Sequence, residues 1–500
     1  MLKAYYIFLL FVMVSLAPPR AVADTKTTSS SVATEQLTDA HQLIAEKNWP
    51  QALAALRAIV DAKSFASLPD DFRYKALQIA GGVATYHGPP KQGYQYLGRV
   101  IAMPQADYGD WLERLRLADQ LGIDADSVIA LTAMMQRWPD RTMKLDSDFI
   151  LKIANEAKSL PSHGALPLLQ ALYAAHWKLQ WDLEPSSLWR DLTLLLLEKN
   201  QLAAANDVAG HVTDSYVLIA MRSDRRFDAV VAANAAQFDI PTASEREFQS
   251  FQAAAEKSPQ SLALKSWVVE SLLRQRHYEG ALAAADSTLL DIQSTNSPTQ
   301  LFSDYEETRS WFLNQRSIAL QRVGRWDEAV EQMAAASLLN EKYSGNVDQL
   351  TNLGYLYCEL GRPEEALAAI GRMAAATSPY GAMLVEAVRV DAAYQLGDSK
   401  QVERSLQYLR AHHTDAPGVY VDALIIVNQL DRAARELVAD LNNAAARQYA
   451  LLSVQAFAPT PGTPRDADEE ARRRAVIARP DVQAAIRKVG RVESYALEAE

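Results

Sequence analysis

Eight histidines (His41, His87, His163, His176, His211, His277, His412 and His413) and one cysteine, Cys358, carry most of this 500-residue chain's capacity for metal ligation or nucleophilic attack. A protease-type zinc site needs two histidines one helical turn apart with a glutamate beside the first, and no such pair occurs. His412 and His413 are adjacent, so on a helix they point about 100° apart and do not share an ion. They read as a solvated pair. Cys358 has no histidine near it in sequence and no evident cause for a lowered pKa. One place after the core aromatic Tyr357, it is expected to face an inner, concave surface. "IAGGVATYHG" is rich in glycine but follows a helical pattern instead of a strand, which suits close helix packing better than a phosphate cradle. No Gly-x-Ser-x-Gly elbow is present. The expectation is no catalytic residue, no metal ligand, no cofactor and no enzyme.

The elements that would position any site are helical. Gly and Pro number 20 and 21, few for a chain with a turn every ten residues, and an apolar share of 49% with 22% charged residues suits a folded chain. Ala and Leu dominate, which favours helix. Five hundred residues exceed what one core serves, so several domains or a repeat array are expected. The start reads as a leader: Lys3, then "AYYIFLLFVMVSLA", then "AVA" at 21–23 with cleavage-site spacing before Asp24. The apolar run is short of the roughly 20 residues that span a bilayer. Cleavage would remove Lys3 and Arg20 and take the net charge from -11 to -13. That acidity excludes a general nucleic-acid role, since phosphate binding needs concentrated Lys and Arg. One cysteine allows no internal disulfide, so packing alone must stabilise the exported chain. The expected location is the periplasm, if the source is Gram-negative.

A unit recurs. "NLGYLYCELGRPEEALAAI" carries Leu353, Gly354, Tyr357, Gly361 and Ala366; "RSIALQRVGRWDEAVEQMAAA" places Gly324, Ala329 and Met333 in the same relation; "VRVDAAYQLGDSKQVERSLQYL" does so with Gly397, Val402 and Leu406. The turn glycines are 37 and 36 residues apart, room for two helices of about 13 residues and a tight turn. This pattern resembles the tetratricopeptide repeat (TPR) family. Residues 347–380 match it closely. Residues 310–343 match with Ser317 for the first-helix glycine and Leu320 for the aromatic. "SWVVESLLRQRHYEGALAAAD" matches through Leu272, Tyr278 and Ala281, with Arg276 in place of the turn glycine. Upstream the likeness weakens to Trp49, Gly81, Gly88, Gly93, Trp111, Gly122 and Trp189, the tryptophans being read as core. Ser244 and Glu247 stand at capping-box spacing, as if opening a helix.

The resemblance implies an all-α, right-handed helical-hairpin solenoid with no sheet, each hairpin burying its open face only by stacking on the next. The expected divisions are a signal peptide at 1–23, a flexible N-terminus at 24–34, divergent repeats at 35–258, better-matching repeats at 259–415, a helical pair at 416–457, a Pro- and charge-rich linker at 458–474 and a final helix at 475–500. In TPR proteins ligands lie against the inner face made by first helices. By position that face here holds Arg274, Trp311, Asn314, Gln321, Arg322, Tyr355, Glu359, Asp391 and Tyr394, together with Cys358. Aromatic area beside Arg, Asn and Gln suits a protein or peptide partner, with an envelope polysaccharide as the second kind. Membrane association is expected only if the leader stays uncleaved. The function this implies is an exported, non-enzymatic scaffold in assembly or secretion. A structural spacer or dimerisation module is the alternative, followed by an enzyme with its site on the concave face.

Overall fold

One turn closes eight helix pairs among the described residues. At Lys47, Gly122, Asn200, Arg276, Gly324, Gly361, Gly397 and Asn428 the backbone enters the left-handed region, with φ between 58° and 78°. Each time, the next residue's N–H donates to the carbonyl five residues back, as from Arg362 to Tyr357 (2.8 Å), His277 to Leu272 (2.8 Å) and Ile123 to Ala118 (2.9 Å). This is the Schellman closure, which satisfies a helix's last carbonyls and reverses the chain into the next helix. Only four of the eight positions are glycine. The others tolerate a left-handed conformation that costs a side chain roughly 1–2 kcal/mol.

The computed structural model describes residues 25–160, 164–339, 346–373 and 378–499. The leader read at 1–23 lies outside them. Twenty-eight α-helices occur among these residues, in two units that divide after Trp177. The first unit holds α1 (Thr25–Ala45), α2 (Trp49–Val60), α3 (Asp70–His87), α4 (Pro90–Ile101), α5 (Tyr108–Gln120), α6 (Asp124–Arg137), α7 (Pro139–Thr142), α8 (Ser147–Glu156) and α9 (Leu166–Ala174). α1 begins inside the stretch expected to be flexible. The pairs α1/α2, α3/α4 and α5/α6 pack as hairpins, and α2 and α4 each contact the next hairpin. Leu56, Ile59, Leu77, Ala80, Val83 and Val100 share one apolar cluster. Gly93 lets α4 approach α3, since a Cβ there would lie 2.5 Å from Thr85 Oγ1. Asp110 caps α5 together with Asp107 and accepts from Tyr74 (2.6 Å) and Gln78 (2.9 Å), tying α5 to α3. Of the tryptophans read as core, Trp189 is buried, whereas Trp49 and Trp111 are half-buried; Trp49 stacks on His87 with ring centres 3.7 Å apart.

The second unit continues with α10 (Ser186–Glu198), α11 (Leu202–Ala209), α12 (Ser215–Ser223), α13 (Asp228–Ala233), α14 (Ile240–Lys257), α15 (Leu262–Arg274), α16 (Tyr278–Gln293), α17 (Pro298–Leu301), α18 (Tyr305–Arg322), α19 (Trp326–Ala336), α20 (Val347–Glu359), α21 (Pro363–Ile370), α22 (Pro379–Gln395), α23 (Ser399–Ala411), α24 (Val419–Ile426), α25 (Leu430–Asn442), α26 (Arg447–Ser453), α27 (Pro464–Ile477) and α28 (Pro480–Val489). Hairpins α15/α16, α18/α19, α20/α21, α22/α23 and α24/α25 follow one another, and their first helices pack side by side. The small residues of the repeat sit in these seams: Ala281, Ala329 and Ala366 are fully buried, and Gly354 lies against Val388 and Ile370. The fold is a TPR-like helical-hairpin solenoid.

Four expectations need correcting. α14 opens at Asp239, whose side chain accepts from the Thr242 N–H, with Pro241 in its first turn; Ser244 and Glu247 lie inside the helix, both buried. Residues 464–474, assigned to a linker, belong to α27, because Thr463 and Asp466 make a reciprocal capping box and Pro464 occupies the first turn. The last helix does not run to 500 but stops at Val489. After it, Ser494–Tyr495 (β2) pairs in parallel with Ala456–Phe457 (β1), a two-strand ladder in a chain expected to have none.

Candidate functional site

The row of first helices α15, α18, α20 and α22 holds all nine residues expected to bind a partner. Two of them face residues 490–499, and two face helix α27. Arg322, at the end of α18, directs Nε and Nη2 at one oxygen of Glu498, both at 2.6 Å. Arg274, ending α15, accepts the Glu498 N–H on its carbonyl (2.9 Å). Asp391 on α22 pairs with Arg465 of α27. Glu359, ending α20, is held up at about 7, first by burial and then by the charge of Asp466 on α27, with Glu469 and Asp391 adding to it and Arg322 opposing.

The other five divide in two. Asn314 is buried and accepts from Asn352 (3.0 Å), and buried Gln321 donates to Ser317 (3.4 Å); both bond within the helix row. Tyr355 packs against the apolar cluster of Cys358, Ile370 and Val388, and burial pushes its phenol far above the usual range. Trp311 and Tyr394 remain open, each 39% exposed. Cys358, expected on the inner surface, is fully buried with Sγ 4.0 Å from the Val388 carbonyl. Burial drives its thiol pKa up, the opposite of what a nucleophile needs.

What sequence reasoning missed is the occupant. From Gly490 the chain crosses the unit, with a strand at Ser494–Tyr495 and a bend at Ala496–Leu497. Gly490 bridges Asp224, and the Arg491 N–H donates to the Ser223 carbonyl (3.0 Å). A Cβ on Gly490 would sit 2.2 Å from that same carbonyl, so only glycine fits this crossing. Gln455 holds the segment from the other side, donating to the Arg491 carbonyl (3.0 Å) and accepting from the Glu493 N–H (2.9 Å). Arg222 of α12 binds Glu493 through Nη2 at 2.7 Å, and Asp228 takes Arg491. Further on, the Ala458 N–H donates to the Leu497 carbonyl (3.1 Å), and the Tyr216 hydroxyl donates to the Glu498 carbonyl. Tyr495 lies by Phe457, which in turn lies by Tyr216, with ring centres 5.7 and 6.0 Å apart. Tyr495, Leu497 and Glu498 are all buried. The legible signals were Gly490, which ends the helix, and the alternation of Tyr495 and Leu497, which has the period of a strand.

Beneath Glu498 lies a second charged knot. Arg274 pairs with Glu247 (3.2 Å) and Glu270 (2.6 Å), with its guanidinium 4.7 Å from the Tyr216 ring centre. Glu247 accepts from the Ser215 N–H (3.1 Å) and hydroxyl (2.7 Å). Burial, then the nearby Asp214, raises it to about 7, against the pull of Arg274. Chemically the site grips a polypeptide: it offers main-chain partners, an aromatic contact and a guanidinium for a carboxylate. Among the described residues no group of three His, Cys, Asp or Glu is placed to hold a metal ion, and no helix is long and apolar enough to cross a membrane.

No family model matches the chain, and no curated protein is similar to it. Solved structures with similar helical arrays include the Rap protein complexed with competence and sporulation factor, 12% identical over 89% of this chain and 100% of that one, with a TM-score of 0.33. Yeast Tom70 is 9% identical over 92% and 99% (TM-score 0.30), and the Cut9–Hcn1 hetero-tetramer of the APC/C is 10% identical over 93% and 91% (TM-score 0.29). The fold assignment rests on the chain's own turns and helix pairings.

Proposed function

We propose that this protein is a non-enzymatic helical-repeat scaffold that binds a protein segment along its row of first helices, and that it does so in the cell envelope as an assembly or secretion accessory. One observation carries the binding part: Arg274 and Arg322 hold a polypeptide segment, the chain's own residues 490–499. Main-chain and charge contacts of this kind are how repeat arrays hold extended ligands. The export part rests on the leader pattern at 1–23 and on an acidic chain that can form no internal disulfide.

Trp311 and Tyr394 are the exposed members of the row and give the place to test it. A photocrosslinking amino acid replaces each in turn in the native host, with Lys400 on the second helix α23 as control. The expected result is a discrete protein adduct from Trp311 or Tyr394 and none from Lys400. Correctly exported protein that gives no adduct at either inner position would contradict the reading.

A further inference from the structure

The apolar clusters that run from α15 to Ala369 of α21 and from α22 to Val489 of α28 contain none of residues 490–499. These ten residues cross the unit after its last helix. They are held by features that define a ligand: alternate side chains buried (Tyr495, Leu497), main-chain bonds to Arg274, Tyr216 and Ala458, and one acidic group on a guanidinium. Tyr278 neighbours this carboxylate: burial first, and then Glu498, raise its phenol pKa against the pull of Arg276.

We propose that this seat is the peptide-recognition site of the array, occupied in cis by the chain's own end, and that its partner is a protein presenting an extended segment with an aromatic residue, an aliphatic residue two places later and a carboxylate immediately after. The inference rests on the scaffold reading above and names the partner's chemistry. Phe457 and Tyr216 select the aromatic, the Arg274 carbonyl and the Ala458 N–H fix the extended main chain, and Arg322 selects the acid. A tethered segment acts at an effective concentration in the millimolar range, so a free segment must match it more closely or arrive at high local concentration.

The test uses the full chain and a fluorescein-labelled synthetic peptide of residues 491–499, followed by fluorescence anisotropy. The seat is emptied by the combined substitution Tyr495→Ala, Leu497→Ala and Glu498→Ala. The emptied chain is expected to bind the peptide, and the unaltered chain to bind it about 30-fold or more weakly because its seat is filled. Adding Arg322→Ala to the emptied chain should weaken binding about 30-fold or more, the effect of leaving one member of a buried ion pair alone. An emptied chain that keeps its helical circular dichroism and does not bind, or equal binding to filled and emptied chains, overturns the proposal. Gly490→Ala asks the same question with every contact side chain retained, because the new Cβ meets the Ser223 carbonyl and dislodges the segment at its root. It decides the matter if the triple variant does not fold. A Gly490→Ala chain that runs as a dimer would make the occupant a second copy's end, and the partner assignment would fall. No peptide binding together with adducts at Trp311 or Tyr394 removes the seat and leaves the scaffold; peptide binding without adducts does the reverse.

Discussion

Arg322 and Glu498 show what can and cannot be read from single residues. The arginine was legible, because its place near the end of a first helix puts it on the inner row. Its partner was not, since nothing in a sequence says that position 498 returns to position 322. Cys358 failed for a local reason: it lies one residue from Tyr357, but the packing of α22 on α20 buries it against Val388. Glu359 carries a prediction at this scale. Burial and the acidic face of α27 raise it from 4.5 to about 7, so the folded unit favours its protonated form. Stability contributed this way is fully present below about 4.5 and is lost as pH rises through about 7. The loss is on the order of 3 kcal/mol at most, by the usual conversion of pKa into free energy. Urea midpoints at pH 5 and pH 8 should therefore fall with pH more steeply for the unaltered chain than for Glu359→Gln. Parallel falls would show that Glu359 does not feel α27.

At the scale of elements the repeat was legible where small residues and glycines mark it, and faint elsewhere for a physical reason. Half of the eight hairpin turns place Lys, Asn or Arg in the left-handed position, so a search for glycine finds only the other half. The end of the chain was misread because Pro and Gly suggest a linker, whereas here Pro464 starts a helix and Gly490 starts a crossing. Seam packing is the testable part. A Cβ at Gly354 would lie 2.8 Å from Val388 Cγ1 and 3.2 Å from Ile370 Cγ2, both on stiff β-branched side chains. Gly354→Ala should destabilise the second unit by roughly 1–3 kcal/mol, in spite of alanine's better helix propensity. A thermal midpoint unchanged or raised would mean that the α20–α22 seam is looser than these distances.

For the whole molecule, an array of stacked hairpins was foreseeable, and its division into two units after Trp177 was not. The better-matching repeats lie in the second unit, as does the segment held by Arg274 and Arg322 of their inner row. That segment gives the account its central claim: residues 490–499 behave as a bound ligand and not as part of the core. Native-state hydrogen exchange tests this most directly, through the Glu498 amide, bonded to the Arg274 carbonyl, and amides inside α18 such as that of Leu320. The account predicts that Glu498 exchanges by an opening of its own, at a free energy well below that of α18, with Arg491 in the same step. Exchange of Glu498 only with the global unfolding that exposes α18 would contradict it and make the segment a structural lock.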